Sequence, residues 1–493
     1  MNLILENNPF HYELEKLCRL FYPEESICVL ENRGIPEAPD TLTAYAGLQK
    51  TGGTLHMTAR LLDGQTEHTA EADYIPNLYG DKNPERQLAE LLYSLLVQQT
   101  GFTPQWGILT GVRPVKLLRN LIGQYGQEKA LNVFQKAYHV SERKMELARL
   151  TMDNERQLLS REKPNGFSLY IGIPFCPSRC AYCSFVSTTV EKTIQLIPDY
   201  VDCLCKEIQA AGRTARDLHL TLQSVYMGGG TPTTLTAAQM DRVLAAVQSS
   251  FDLSECLEFT VEAGRPDTIT EEKLQGLLRR GITRISINPQ TMQDRVLQAI
   301  GRRHTVQQVF DAFQMAREAG FRDINMDLIA GLPLDTPAGF ADTVDKVCAL
   351  EPESITVHTL SLKRSSRIFQ EKVKPASGAD VAKMLDYAGT KLIGGGWHPY
   401  YLYRQTRILG GMENVGFAKP GAESFYNAAI MDESQTVLAC GAGAGTKVCD
   451  PSGSGRLVRV YNFKYPHEYI SRYREVLERK AKVKQIYEQF LFS

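Results

Sequence analysis

From residue 168 onward, short apolar runs alternate with longer stretches of helical periodicity. The short runs are 168–173 (SLYIGI), 222–228 (LQSVYMG), 257–263 (LEFTVEA), 283–288 (TRISIN), 323–329 (DINMDLI) and 354–360 (SITVHTL). The stretches between them, such as TAAQMDRVLAAVQSS and TVQQVFDAFQMAREAG, repeat apolar residues every three or four positions, as helices do. Six strand–helix repeats predict an α/β fold with a parallel sheet. Right-handed crossovers put every strand-to-helix loop at one end of that sheet. In curled sheets of this kind the site lies at the C-terminal strand ends. Six units predict a partial (β/α)6 barrel, open on one side.

The flanks follow other patterns. SICVLENR, TLTAYAGLQ and TLHMTARLLD show partial period-two alternation between glycine-containing breaks, which predicts hairpins. Residues 84–160 turn helical, with Leu88, Leu91, Leu92, Leu95 and Leu96 on one stripe. WGILTGVRP (106–114) interrupts them as a loop, where Trp106 and Arg113 pack a helix junction more readily than they touch a ligand. Polar REKPNG (161–166) links into the barrel, and the last stretch, from residue 466, is helical. The expected organisation is a small α+β domain over 1–80, a helical connector over 81–165, the partial barrel over 166–365 and a C-terminal α+β region over 366–493, read as covering the substrate.

Composition narrows the function classes. At 493 residues the chain supports two or more cores. A net charge of −1 gives no bulk attraction to a polyanion, so no nucleic-acid partner is expected. No apolar run of membrane-spanning length and no export signal are read, so a cytoplasmic protein without a membrane span is expected. Eleven cysteines then read as reduced thiols and metal ligands. Cys203 and Cys205 fall two apart on a helical stretch and are expected to be buried thiols.

Three cysteines stand out. Cys176, Cys180 and Cys183 follow the first barrel strand in the spacing C-x3-C-x2-C, after Pro174 has blocked strand continuation. Zinc frameworks usually pair C-x2-C with a second, distant pair. Three thiolates on a four-iron cluster leave one iron open, as a catalytic site requires. The segment YIGIPFCPSRCAYCSF resembles the radical S-adenosylmethionine (SAM) superfamily and, within it, the oxygen-independent coproporphyrinogen III oxidase family. The segment LYRQ…ENVG and the long N-terminal extension resemble its HemZ-type branch, the coproporphyrinogen dehydrogenases. Gly172 stands where many members carry His, and Phe185 where some carry a fourth Cys.

The resemblance implies a radical SAM barrel with a 4Fe–4S cluster on Cys176, Cys180 and Cys183, and one or two SAM molecules. It assigns Gly229, Gly230 and Thr231 of YMGGGTP to the methionine part of SAM. Glu262, at the end of the third strand, is a carboxylate for ribose hydroxyls or an ammonium; a solvated strand-end acid is the blander reading. Gln290 and Arg302 match a SAM-binding pair, and a guanidinium fork suits a carboxylate. Asp327 is a site candidate on its own account, because an acid inside an apolar strand is costly to bury unpaired. Tyr170 and Tyr182 match aromatics beside the cluster and the adenine. Asp267 and Thr270 are expected to cap the next helix. Arg303 and His304 carry no assigned role.

The activity implied is oxidative decarboxylation of coproporphyrinogen III in haem biosynthesis, an oxidoreductase reaction. The partners implied are a tetrapyrrole substrate and a one-electron donor of the flavodoxin or ferredoxin class. Tyr400, Tyr401, Tyr403, Arg404 and Arg407 would suit a flat macrocycle with carboxylate arms, or pack a loop. VLACGAGAGTK reads as a close-packed turn near the site. Two other readings compete: a haem-binding chaperone of the same superfamily, with His398 as a surface ligand, and a radical enzyme for another tetrapyrrole.

Overall fold

The structure is a computed structural model that describes residues 1–34, 39–80, 82–185 and 188–492. The chain divides into two compact units, Met1–Arg149 with Arg404–Met412, and Leu150–Tyr403 with Glu413–Ser493. The boundaries expected at 80 and 365 fall inside these units.

The first unit is built on a five-stranded sheet of order β2-β1-β3-β4-β5. Its strands are β1 Asn2–Glu6, β2 Cys28–Glu31, β3 Thr43–Thr51, β4 Thr54–Asp63 and β5 Thr66–Asp73. β1 runs parallel to both β2 and β3, and β3, β4 and β5 form an antiparallel meander. Alternation on β4 turns Met57, Ala59 and Leu61 inward. They meet Leu14 and Leu17 of the helix His11–Phe21 and Leu88, Leu92 and Leu96 of the helix Glu85–Thr100. The latter helix ends where Gly101 adopts the left-handed conformation.

Arg404 belongs to this unit and corrects the macrocycle reading. Its Nε and Nη2 donate to the Gly411 carbonyl at 3.1 and 2.6 Å, and Nη1 donates to the Leu109 carbonyl. The guanidinium lies over the Trp106 ring. Trp106 is buried and serves packing.

The second unit carries an eleven-stranded sheet of order β14-β15-β13-β12-β11-β10-β9-β6-β16-β17-β18. Its central strands are β6 Gly166–Ile173, β9 Thr221–Gly229, β10 Glu258–Glu262, β11 Arg284–Ser286, β12 Ile324–Ala330 and β13 Ser354–Thr359. All six are mutually parallel, at the positions the apolar runs predict. Short strands β7 Phe175–Cys176 and β8 Thr188–Thr189 pair separately.

The C-terminal region extends this sheet at both edges. β14 His398–Tyr403 and β15 Asn414–Ala418 add an antiparallel pair beside β13. β16 Thr436–Cys440 runs parallel to β6 and leads into β17 Gly445–Cys449 and β18 Leu457–Tyr461. The stretch read as a glycine turn is thus a strand followed by a turn. Tyr400 and Tyr401 pack with Leu158, Phe425 and Ala428.

Helices cover the other face. The helix Ile197–Asp217 buries Tyr200, Val201, Leu204 and Ile208 and leaves Cys203 and Cys205 half-buried, which corrects their expected burial. Thr236 and Thr305 start their helices with capping boxes. Thr270 caps the helix Glu271–Arg279 as expected, but Asp267 is taken by Arg265 instead. The C-terminal helix runs Tyr473–Phe492, and Ser493 lies outside the described residues. Among the described residues no helix is long and apolar enough to cross a membrane.

Candidate functional site at the strand ends

The cysteine loop leaves β6 at its C-terminal end. Its backbone is pinned from both sides: the Ala181 amide donates to Ile300, and the Ile368 amide donates to Ala181. Cys180 is buried, while Cys176 and Cys183 are half-buried. Burial pushes the Cys183 thiol up to about 11, the Phe185 amide opposes this, and the other two thiols add to it. The thiol therefore keeps its proton until a cation replaces it.

The glycine run after β9 lies against this loop. The Gly230 amide donates to the Ile173 carbonyl at 2.7 Å and the Thr231 amide to the Phe175 carbonyl at 2.8 Å. The Thr231 hydroxyl lies 3.6 Å from Cys176 Sγ. A Cβ on Gly230 would stand 2.6 Å from the Phe175 carbonyl oxygen and 3.0 Å from Cys176 Sγ. Only glycine fits there. Gly229 precedes it at φ +107, a conformation side chains rarely adopt.

The inner face of the sheet is polar. Register pairs Tyr170 with Tyr226 and Tyr226 with Thr260, and sets Glu262 beside Ser286. The Tyr226 hydroxyl donates to Glu262 at 2.7 Å. The Tyr226 ring stacks on Tyr426, with centroids 4.5 Å apart, and more loosely on Tyr170 at 6.5 Å. Burial pushes Glu262 up to about 7, with Asp327 adding to the rise and the Tyr226 hydroxyl opposing it. Glu262 is therefore a partly protonated carboxyl near neutral pH, not a solvated strand-end acid.

Gln290 is strained into place. It sits at φ 70, its amide donates to the Asp327 carbonyl, and its own carbonyl accepts from Ile329. Its side-chain oxygen is buried without a hydrogen-bond partner. Asp327 accepts from Asn325 at 2.7 Å and faces His358 at 3.8 Å. Burial pushes Asp327 up, but His358, Asn325 and Thr356 outweigh it and hold the carboxyl below its ordinary value. Arg302 donates to the Asn288 and Gly264 carbonyls and, at 3.1 Å, to the Tyr182 hydroxyl.

The structure thus gathers two sets at one end of the sheet. Cys176, Gly230 and Thr231 touch, as do Tyr182 and Arg302, while Glu262 ends β10, Gln290 lies four residues beyond β11 and bridges to Leu328, and Asp327 sits mid-strand on β12. Tyr226, Arg265, His358 and Tyr426 were not singled out from sequence. Tyr226 and His358 could have been: each shares the inward parity of its strand with an assigned or polar neighbour. Among the described residues no three His, Cys, Asp or Glu side chains converge on a single ion, whereas a four-iron cluster takes one thiolate per iron. The donor set fits such a cluster: three thiols on one loop, a cradle that a Cβ at Gly230 would fill, and a guanidinium at Cys180.

Comparison with known proteins decides the family. Residues 170–347 match the Radical SAM superfamily. The chain is 37% identical to the oxygen-independent coproporphyrinogen-III oxidase-like protein HemZ of Bacillus subtilis (strain 168), over 98% of each chain. It belongs to the HemZ branch of the radical SAM superfamily. The haem chaperone HemW of Lactococcus lactis is 31% identical over 67% of this chain and 81% of its own length. Coproporphyrinogen III oxidase HemN from Escherichia coli, a radical SAM enzyme, shares the fold at a TM-score of 0.52 and 24% identity, covering 66% of this chain and 72% of its own. The family implies a 4Fe–4S cluster and SAM.

Proposed function

We propose that this HemZ-branch chain decarboxylates two propionates of coproporphyrinogen III to vinyl groups, giving protoporphyrinogen IX. The observation that supports the reading is the contact of Gly230 and Thr231 with Cys176 and of Arg302 with Tyr182 of the cysteine loop, on a sheet whose polar face also carries Glu262 and Asp327. Cys176, Cys180 and Cys183 hold the cluster. When bound, cluster and SAM would supply a 5′-deoxyadenosyl radical able to take a hydrogen atom from the β-carbon of a propionate; loss of carbon dioxide, with one electron passed to an external one-electron acceptor, would leave the vinyl group.

The chain's own residues bind and orient. Gly229, Gly230 and Thr231 bring the backbone close to Cys176, beside which the methionine part of SAM would lie. Glu262 holds or accepts a proton at a hydroxyl or ammonium, as its carboxyl near 7 permits. Tyr170 walls the site, and Tyr182 lies along an adenine. Gln290, Arg302 and Asp327 offer an unpaired amide oxygen, a guanidinium and a carboxylate, a set that suits a second SAM. A flavodoxin- or ferredoxin-type donor in the cytoplasm supplies the electron.

The HemW relative supports a haem-carrying alternative. Against it, His398 is engaged by Glu423 at 2.6 Å and is not offered as a ligand. The test is an anaerobic assay of the reconstituted protein with SAM, dithionite and coproporphyrinogen III. Protoporphyrinogen forming in proportion to 5′-deoxyadenosine, and lost in Cys180→Ala, is the expected result. Deoxyadenosine without porphyrin product sinks the substrate. Neither product, with tight haem binding, favours the carrier.

A further inference from the structure

Behind the cysteine loop lies a buried guanidinium that no step above uses. Arg265 follows β10 and is 3% exposed. Its Nε and Nη2 donate to the two carboxylate oxygens of Asp267, each at 3.0 Å. Its Nη1 donates to the Ser178 hydroxyl at 3.1 Å and lies 3.8 Å from Cys180 Sγ. Ser178 is itself anchored on the Gly301 carbonyl at 3.0 Å. The fork is thus clamped on one side so that its remaining nitrogen is aimed at a thiol. His304 packs beneath with both ring nitrogens buried and unpartnered, its Nδ1 3.9 Å from Asp267. Burial and the two neighbouring arginines push His304 down to about 3, so it stays neutral and leaves Asp267 to Arg265.

An N–H aimed at a cluster sulfur, and a positive charge beside it, favour the reduced cluster, because the added electron increases negative charge on the sulfurs. Asp267 offsets part of the charge but leaves the N–H donor in place. We propose that Arg265 raises the reduction potential of the cluster through its hydrogen bond to Cys180, with Asp267 and Ser178 as the residues that position it. The inference rests on the reading that Cys176, Cys180 and Cys183 hold a 4Fe–4S cluster. It deepens that reading by naming what regulates electron entry.

The test is a redox titration of the full chain, reconstituted anaerobically without SAM and followed by the electron paramagnetic resonance signal of the reduced cluster. Iron and sulfide are counted first. Arg265→Met is expected to keep the cluster and to shift its midpoint negative by at least tenfold in the reduction equilibrium, about 59 mV for one electron. Arg265→Lys, which keeps the charge but not the fork, is expected between the two. If Arg265→Met fails to fold or to load iron, Arg265→Lys and Ser178→Ala carry the measurement, each with a smaller negative shift. Variants that load fully and titrate with the wild type overturn this inference alone. A wild type that takes up no cluster overturns the inference together with the cluster reading.

Discussion

Replacing Glu207 with Gln tests how the C-terminal region is held to the barrel. The Glu207 carboxylate is fully buried on the helix Ile197–Asp217. Four donors converge on it: the Gly441 amide at 2.8 Å, Asn462 Nδ2 at 2.7 Å, the Tyr469 hydroxyl and Lys480 Nζ at 3.1 Å. Lys480, 6% exposed, also donates to the Ala439 carbonyl. A glutamine presents an NH2 to two of these donors whichever way it flips, and leaves a buried ammonium without its counter-ion. Breaking a buried pair in this way costs about 3–5 kcal/mol. With an m-value of about 3 kcal/mol/M, the urea midpoint of this unit should fall by roughly 1–1.7 M. Trp397 lies in the same unit and reports it by fluorescence in a Trp106→Phe background. Lys480→Met should cost less, since Glu207 keeps three donors. The double variant Glu207→Gln/Lys480→Met should cost clearly less than the sum, because the stranded charge is gone. A single variant within 1 kcal/mol of wild type, or strict additivity within about 0.5 kcal/mol, would refute the reasoning.

Three further outcomes are expected. Gly230→Ala drives a Cβ to 2.6 Å from the Phe175 carbonyl oxygen, which cannot yield cheaply, so the reconstituted variant should carry less than about half the wild-type iron and lose roughly 1–3 kcal/mol of stability. The Glu262 carboxyl titrates near 7 when folded against an ordinary value of 4.5. Between those values the folded chain keeps a proton the unfolded chain has released, so its contribution is present below pH 4.5 and lost as pH rises through 7. Glu262→Gln should therefore stabilise the fold at pH 8, by at most about 3 kcal/mol and with a raised melting temperature, but not at pH 4.5; equal melting-temperature shifts at both values would contradict it. Arg404→Met strands the Leu109 and Gly411 carbonyls and should cost the first unit about 2–3 kcal/mol, read through Trp106 fluorescence in a Trp397→Phe background.

The parallel strands were legible because buried strands of this kind read as apolar runs bounded by turns. The cluster loop and the glycine run were legible because their spacing is local. The edge strands were not. Four apolar residues at β16 were overshadowed by the glycines after them, and the aromatics of β14 look the same whether they wait for a macrocycle or pack on Phe425 and Ala428. Arg265 was overlooked for another reason: its target, Cys180, lies 85 residues away, and only the folded sheet brings them together. Asp267 shows the converse error, where a helix-flanking acid looks like a cap until a nearby guanidinium claims it.

The placement of Arg404–Met412 in the first unit bears on how the chain is made. The Leu109 carbonyl waits for a guanidinium 295 residues downstream. At about 5–20 residues per second, a ribosome delivers it roughly 15–60 s later. Through that interval the N-terminal unit has its whole sheet but lacks its last segment, while most of the barrel is synthesised. The usual order, first domain finished first, does not hold here: the unit that begins first is completed only after β14 has been synthesised.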